Sequence, residues 1–300
     1  MTDDLLASRW RGQPHRLEVW YATVTDGATG TGLWFHHELV APADGSPAFT
    51  HGWIARFPTD GAPSYARYGP DPASRENGVP DRYAISSRGE GLWGLTWGDG
   101  GSPLYTFPKW AWEREVLPGA QVVPVPSAPV EGTVELGGER LVLREARGNL
   151  ARIYGHGNAE RWGWLHADLG GGDVLEIVAG VPRRRALSWL PPVPMVQLRV
   201  GGQDWPRDPM AAAPMFRARL GLPHWRVRGT VGRRRLRVDV EIPAARAVAM
   251  AYADPDGAPA TCTNSERADA EIVIERWRRR WETERSWSLR GTAHAEIGTR

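Results

Sequence analysis

Three hundred residues are about twice the length of an average domain, so the chain has room for two domains or one large β domain. A net charge of +2, from 37 basic against 35 acidic residues, lacks the one-sided excess of a nucleic-acid binder. No apolar run approaches the roughly 18 residues of a membrane span, MTDDLLASRW lacks a signal-peptide layout, and one cysteine, Cys262, excludes an internal disulfide or a cysteine-rich metal centre.

The expectation is a cytoplasmic chain without a transmembrane segment. In chain order, period-two alternation predicts strands over Arg16–Val24, Leu33–Val40, Phe49–Phe57, Leu141–Glu145, Trp164–Leu169, Val174–Ala179, Met195–Val200, Trp225–Val231, Leu236–Ile242 and Ala247–Ala251. Asp26-Gly27, Asp44-Gly45, Asp60-Gly61, Gly137-Gly138, Gly201-Gly202 and Asp256-Gly257 are the pairs that tolerate positive φ at hairpin bends. Glu266–Arg280 contains the β-branched run Ile272-Val273-Ile274 and is assigned to strand rather than helix. Between Leu117 and Val130 four prolines favour extended polyproline geometry, which places a linker there and divides the chain into domains 1–130 and 131–300.

Trp34-Phe35-His36-His37-Glu38-Leu39 is echoed 130 residues later by Trp164-Leu165-His166-Ala167-Asp168-Leu169. Alternate residues of a strand share a face, so Trp34, His36 and Glu38 project together, as do Trp164, His166 and Asp168. An imidazole and a carboxylate on one inward face need each other or water, which points to a partly polar pocket. The alternative is that each pair satisfies itself inside the core. His51 shares a face with Phe49 and Trp53 and joins the first pocket or the core. His36, His37 and His166 make a poor metal site, because neighbours on a strand face opposite ways. Trp93, Trp97, Trp110 and Trp112 are expected in the core, Cys262 as a buried thiol, and the three Arg-Arg-Arg runs at 183, 233 and 278 on the solvated surface.

The stretch before the second echo, Ile153–Trp164, packs Tyr154, His156, Asn158, Glu160, Trp162 and Trp164 into twelve residues, with glycines that let backbone approach closely. Asn158 and Glu160 either brace the loop or contact a ligand. Together with Gly32-Leu33-Trp34-Phe35, the Asp-Gly turn and Asn-Ser segment of Asp254–Asp269, and Ala295-Glu296-Ile297-Gly298, it resembles the lipocalin-like superfamily of carotenoid 1,2-hydratase, AttH-like proteins, tocopherol cyclase and decalin-forming Diels–Alderases. The resemblance implies an all-β chain of two tandem lipocalin-like antiparallel β-barrel domains with little helix. It also implies a pocket in or between them for polyenes, prenyl chains or polyketides.

No nucleotide, metal-protease or serine-hydrolase motif is present. The compatible chemistry is protonation of an alkene or carbonyl in a dry aromatic pocket, where desolvation keeps a carboxyl protonated. Glu38, Asp168 and Glu160 are the candidate acids, with His36, His166 and His156 as relays. Trp34, Trp53, Trp162 and Trp164 would stabilise cationic charge, and His51, Tyr154 and Asn158 would contact the ligand. A pericyclic reaction would need mainly a folded ligand and one hydrogen-bond donor. Two readings stay open: a cofactor-independent cyclase, hydratase or isomerase of a hydrophobic natural product, and a non-catalytic binding or carrier protein. Neither needs a cofactor, a metal or a nucleic-acid partner.

Overall fold

The computed structural model describes residues 3–73, 91–183 and 189–300. The chain divides into two compact units. One comprises residues 1–105, 109–157 and 253–259; the other comprises 106–108, 158–252 and 260–300.

The first unit is an antiparallel sheet of β1 (Arg16–Thr25), β2 (Gly32–Ala41), β3 (Phe49–Phe57), β4 (Ser64–Pro72), β5 (Gly91–Trp97), β6 (Gly119–Leu136), β7 (Glu139–Val142) and β8 (Ala146–Gly155). Its order is β4-β3-β2-β1-β8-β6-β5, with β7 paired to β6. Two short helices, α1 (Asp3–Leu6) and α2 (Lys109–Arg114), accompany it. Leu33 and Phe35 of β2, Ala22 and Val24 of β1, Ile54 of β3 and Leu150 of β8 form the apolar core on one face. On that face, too, Glu18 meets Arg152 at 2.6 Å and Arg16 at 3.0 Å, and Arg152 lies 4.0 Å over the Trp20 ring. Burial alone would raise the Glu18 carboxyl, but Arg152 and Arg16 outweigh it and hold the group below its ordinary range.

The second unit contains β9 (Arg161–Gly170), β10 (Asp173–Val181), β11 (Val193–Val200), β12 (Gln203–Trp205), β13 (Phe216–Arg219), β14 (His224–Val231), β15 (Arg234–Glu241), β16 (Val248–Ala253), β17 (Pro259–Arg278) and β18 (Arg280–Thr299). The ladder runs β12-β11-β10-β9-β18-β17-β15-β14-β13, with β16 on β17, and a short helix α3 (Pro209–Ala212) follows β12. Leu165, Ala167, Leu175, Ile177, Ala293, Ala295 and Ile297 contribute to a continuous aliphatic core on one face of this sheet.

The proline-rich segment expected as a linker is instead the long strand β6, which runs through the place expected to divide the chain and keeps residues 131–157 in the first unit. Its pairing with β8 shifts register between Val122 and Val125 and again between Val125 and Ala128. Pro124 and Pro126 lie in these irregular stretches, where a missing N–H breaks no ladder bond. Of the expected core tryptophans Trp93 and Trp112 are buried, whereas Trp110 is exposed on α2. Arg184 and Arg185 lie outside the described residues.

Candidate functional site

Both echoed trios start from strands, but neither faces the apolar core of its sheet. Leu33 and Phe35 in β2, and Leu165 and Ala167 in β9, take the core faces. Strand alternation then turns Trp34, His36 and Glu38, and likewise Trp164 and His166, to the reverse faces. The expected inward orientation is therefore corrected: Leu33, Phe35, Leu165 and Ala167 join the apolar clusters, and the trios lie on the other face of each strand. The reverse faces are nonetheless buried at these residues.

In the first unit, His36 pairs directly with Trp53 and Glu38 with His51 across β2 and β3. His36 Nε2 lies 2.9 Å from one Glu38 oxygen and His51 Nε2 lies 2.8 Å from the other. The His36 ring stacks on Trp53 at 4.2 Å, and Trp34 meets Trp53 edge-on at 5.4 Å. Desolvation pushes the Glu38 carboxyl up, but the two imidazoles more than reverse it, so the group is held well below the usual carboxylate range. Glu38 is thus an ionised acceptor, not the protonated acid that burial alone would give. On the opposite face, His37 Nδ1 lies 3.1 Å from the Tyr68 hydroxyl, and burial lowers the His37 pKa to about 4.

The second unit assembles a larger constellation. Trp162, Trp164 and His166 of β9 lie directly across from Gly298, Glu296 and His294 of β18. Glu176, across from His166 on β10, accepts from Trp164 Nε1 at 2.6 Å and from His166 Nδ1 at 2.9 Å. With Nδ1–H directed at Glu176, Nε2 is the ring nitrogen left to exchange a proton with a ligand. The His166 and His294 rings are 5.9 Å apart.

His294 Nδ1 lies 2.5 Å from Glu266 Oε2. Glu266 is fully buried at a register shift of β17 between Ser265 and Ala268, where the bulge sets it near His294. Desolvation pushes its carboxyl above the usual range, with His294, Asn264 and His166 opposing the shift in part. Next to this pair, Trp162 Nε1 donates to Glu296 at 2.8 Å, and the Cys262 thiol lies 3.3 Å from the other Glu296 oxygen. Gly298 is required there: a Cβ would stand 2.0 Å from the Trp162 ring.

Other expected site residues fall elsewhere. Asp168 is half-buried at the end of β9 and accepts from Gly170 N at 2.9 Å, so Glu176, not Asp168, is the acid on His166. Two residues along β9 the chain reaches its turn, and the carboxylate stabilises that turn. His156 is exposed and meets the His15 carbonyl at 2.7 Å. Glu160 is half-buried, with its backbone engaged by Val181 and Arg300. Tyr154 is buried on the core face beside Trp112, its hydroxyl donating to the Ala111 carbonyl at 3.3 Å. Asn158 lies in the half-buried loop before β9.

Sequence reading missed Glu176, Asn264, Glu266, His294 and Glu296. The available signal was a lone carboxylate or imidazole among aliphatic neighbours, as in Val174-Leu175-Glu176-Ile177 and Ala293-His294-Ala295. Among the described residues no group of three or more His, Cys, Asp or Glu is arranged to hold a metal ion. No described helix is long and apolar enough to cross a membrane.

A family model described as tocopherol cyclase-like matches residues 84–299. An uncharacterized protein of Mycobacterium tuberculosis, matched in two strains, is 46% identical over 302 residues, covering 97% of this chain and 89% of the relative. A crystal structure of CghA with Sch210972 matches with TM-score 0.62 at 14% identity, over 95% of this chain and 88% of that one. Kievitone hydratase from Nectria haematococca matches with TM-score 0.57 at 10% identity, over 93% and 88% of the two chains. A putative AttH from Nitrosomonas europaea matches with TM-score 0.55 at 13% identity, over 95% and 92%. These likenesses establish the fold: two tandem lipocalin-like antiparallel β domains with little helix.

Proposed function

Because this chain belongs to the tocopherol cyclase-like family, we propose that it is a cofactor-independent cyclase, hydratase or isomerase of a hydrophobic unsaturated small molecule. The substrate class is that of polyenes, terpenoids and polyketides. The observation that carries this reading is Glu266: a carboxyl whose pKa burial raises, 2.5 Å from His294 and on the same unit as the His166–Glu176 pair. A buried carboxyl held above its usual range and in contact with an imidazole is a pairing suited to proton transfer.

In the proposed reaction Glu266 gives its proton to one carbon of a double bond. A C–H bond forms and the adjoining carbon becomes cationic. The indole faces of Trp162 and Trp164 favour that charge, at about 0.5–2 kcal/mol each. A hydroxyl of the same molecule closes a ring there, or water adds, and the excess proton passes to Nε2 of His166. For isomerisation a neighbouring C–H supplies that proton instead. Glu176 stabilises the resulting imidazolium through Nδ1–H, and return of the proton to Glu266 by way of His294 restores the starting state.

The test incubates the chain with fractionated apolar extracts and follows product masses, which stay unchanged or rise by one water. Glu266→Gln and His166→Ala are expected to reduce kcat by about 10²–10⁴, with ligand affinity within about tenfold, while Asp168→Asn stays near wild type. Turnover unaffected by Glu266→Gln overturns the reading. Tight binding of an apolar ligand without any turnover replaces it with a carrier.

A further inference from the structure

We infer that the tip of the β17–β18 hairpin is a docking surface for an anionic phospholipid membrane. The tip joins Arg278 to Arg280 through the single residue Arg279 and lies beside the β14–β15 turn, since Trp277 N donates to the Arg233 carbonyl. Residues 232–235 and 275–285 hold eight arginines against three glutamates. Arg285 is paired with Asp173 at 2.6 Å, so the local excess is four positive charges; it still exceeds the +2 of the whole chain, the remainder is net negative, and the cationic field is local.

The glutamates are engaged mostly away from the apex. Glu284 is clasped by Arg234 at 2.6 Å and Arg276 at 3.2 Å, and Glu275 by Arg235 at 2.7 Å. Among the described residues Glu282 pairs only with Arg280, at 3.4 Å with the Arg280 side chain 83% exposed, a pair too solvated to hold the charge. Arg233, Arg278 and Arg279 make no ion pair among the described residues. The apex therefore presents guanidinium groups with unused donors, suited to bidentate contact with phosphate oxygens.

The second component is aromatic. Trp277 is 41% exposed and pairs across the hairpin with Trp281, their rings 5.4 Å apart, while Arg235 covers Trp281 at 4.6 Å. This cross-strand pair stiffens the tip and leaves one large indole in solvent. Indole with arginine is the composition that settles at the headgroup level of a bilayer. A duplex would call for basic residues spread along a groove or face, and the charge here is gathered at one hairpin end. Apolar substrates of the proposed class dissolve in membranes, but the inference stands on the tip itself and needs no reaction.

The test is sedimentation of the full chain with phosphatidylcholine vesicles, with and without phosphatidylglycerol. Binding is expected only to the anionic vesicles and is expected to fall as salt rises. The triple variant Arg278→Gln, Arg279→Gln, Arg280→Gln should weaken it about a hundredfold, and Trp277→Ser should weaken it with charge unchanged. Both changes lie at the solvent-exposed tip, and far-UV circular dichroism checks that the variants fold. Equal binding to neutral vesicles, an unaffected triple variant, no sedimentation at low salt, or stronger binding to random-sequence duplex DNA than to anionic vesicles would each overturn the proposal. Because no product is measured, its failure leaves the proposed reaction untouched.

Discussion

Glu176 orders the second-unit site, and replacing it separates two roles. Its oxygens take the Trp164 Nε1–H at 2.6 Å and the His166 Nδ1–H at 2.9 Å, and all three side chains are buried. Glu176→Gln keeps one oxygen but sets an NH₂ against the other donor, stranding one buried N–H. Glu176→Leu strands both. Each stranded donor is worth about 1–3 kcal/mol, so the leucine variant should be less stable than the glutamine variant by about one such increment. With an m-value of about 3 kcal/mol/M, that difference moves the urea midpoint by roughly 0.3–1 M. Equilibrium urea unfolding with m held constant measures it, and ¹⁵N spectra of His166 should show loss of the fixed Nδ1–H tautomer. If Glu176→Leu matches wild type in midpoint and tautomer, Glu176 does not orient His166, and the assignment of Nε2 as proton acceptor falls with it.

Three further outcomes follow from the same physics. Arg152→Met leaves the buried Glu18 carboxylate with Arg16 and the weaker donors Ser8 Oγ and Arg9 N and should destabilise by about 3–5 kcal/mol, whereas adding Glu18→Gln should recover much of it; a thermal-melt double-mutant cycle measures the coupling, and additive losses would contradict the pair. Because the folded-state pKa of Glu18 is depressed, its contribution is present above the ordinary glutamate pKa and lost as pH falls through the lowered folded value. Glu18→Gln should therefore flatten the acid limb of stability against pH. Gly298→Ala places a methyl 2.0 Å from the Trp162 ring; it should cost about 1–3 kcal/mol and detach Trp162 Nε1 from Glu296, visible as an altered indole N–H resonance.

The β2 and β3 pairing was legible because Trp34 to Glu38 and Phe49 to Trp53 alternate cleanly, and the matching register brings His36, Glu38, His51 and Trp53 together. Which face would be core was not legible from that alternation. Leu33 and Phe35 compete with Trp34 on nearly equal hydrophobic terms, and cross-strand aliphatic neighbours decide the outcome. Pro124 and Pro126 hid β6, since the register shifts that spare them a ladder bond leave no local mark. The echo at Trp164 located one wall of the second site but named the wrong acid. Asp168 is near His166 in sequence, whereas Glu176 is opposite it in the ladder. Glu266 and His294 stood inside Asn264-Ser265-Glu266 and Ala293-His294-Ala295, and only the β17 bulge, invisible to period-two counting, joins them.

The most direct test of the account is the protonation state of Glu266. Infrared difference spectra of wild type against Glu266→Gln should contain a protonated-carboxyl C=O band that persists above the ordinary glutamate pKa of about 4.3. The same displacement requires native stability to decline as pH rises through the raised folded value, a decline that Glu266→Gln should remove. A carboxyl that ionises at or below that ordinary value, with no such band above it in wild type, would contradict Glu266 as the proton donor and with it the proposed acid–base chemistry.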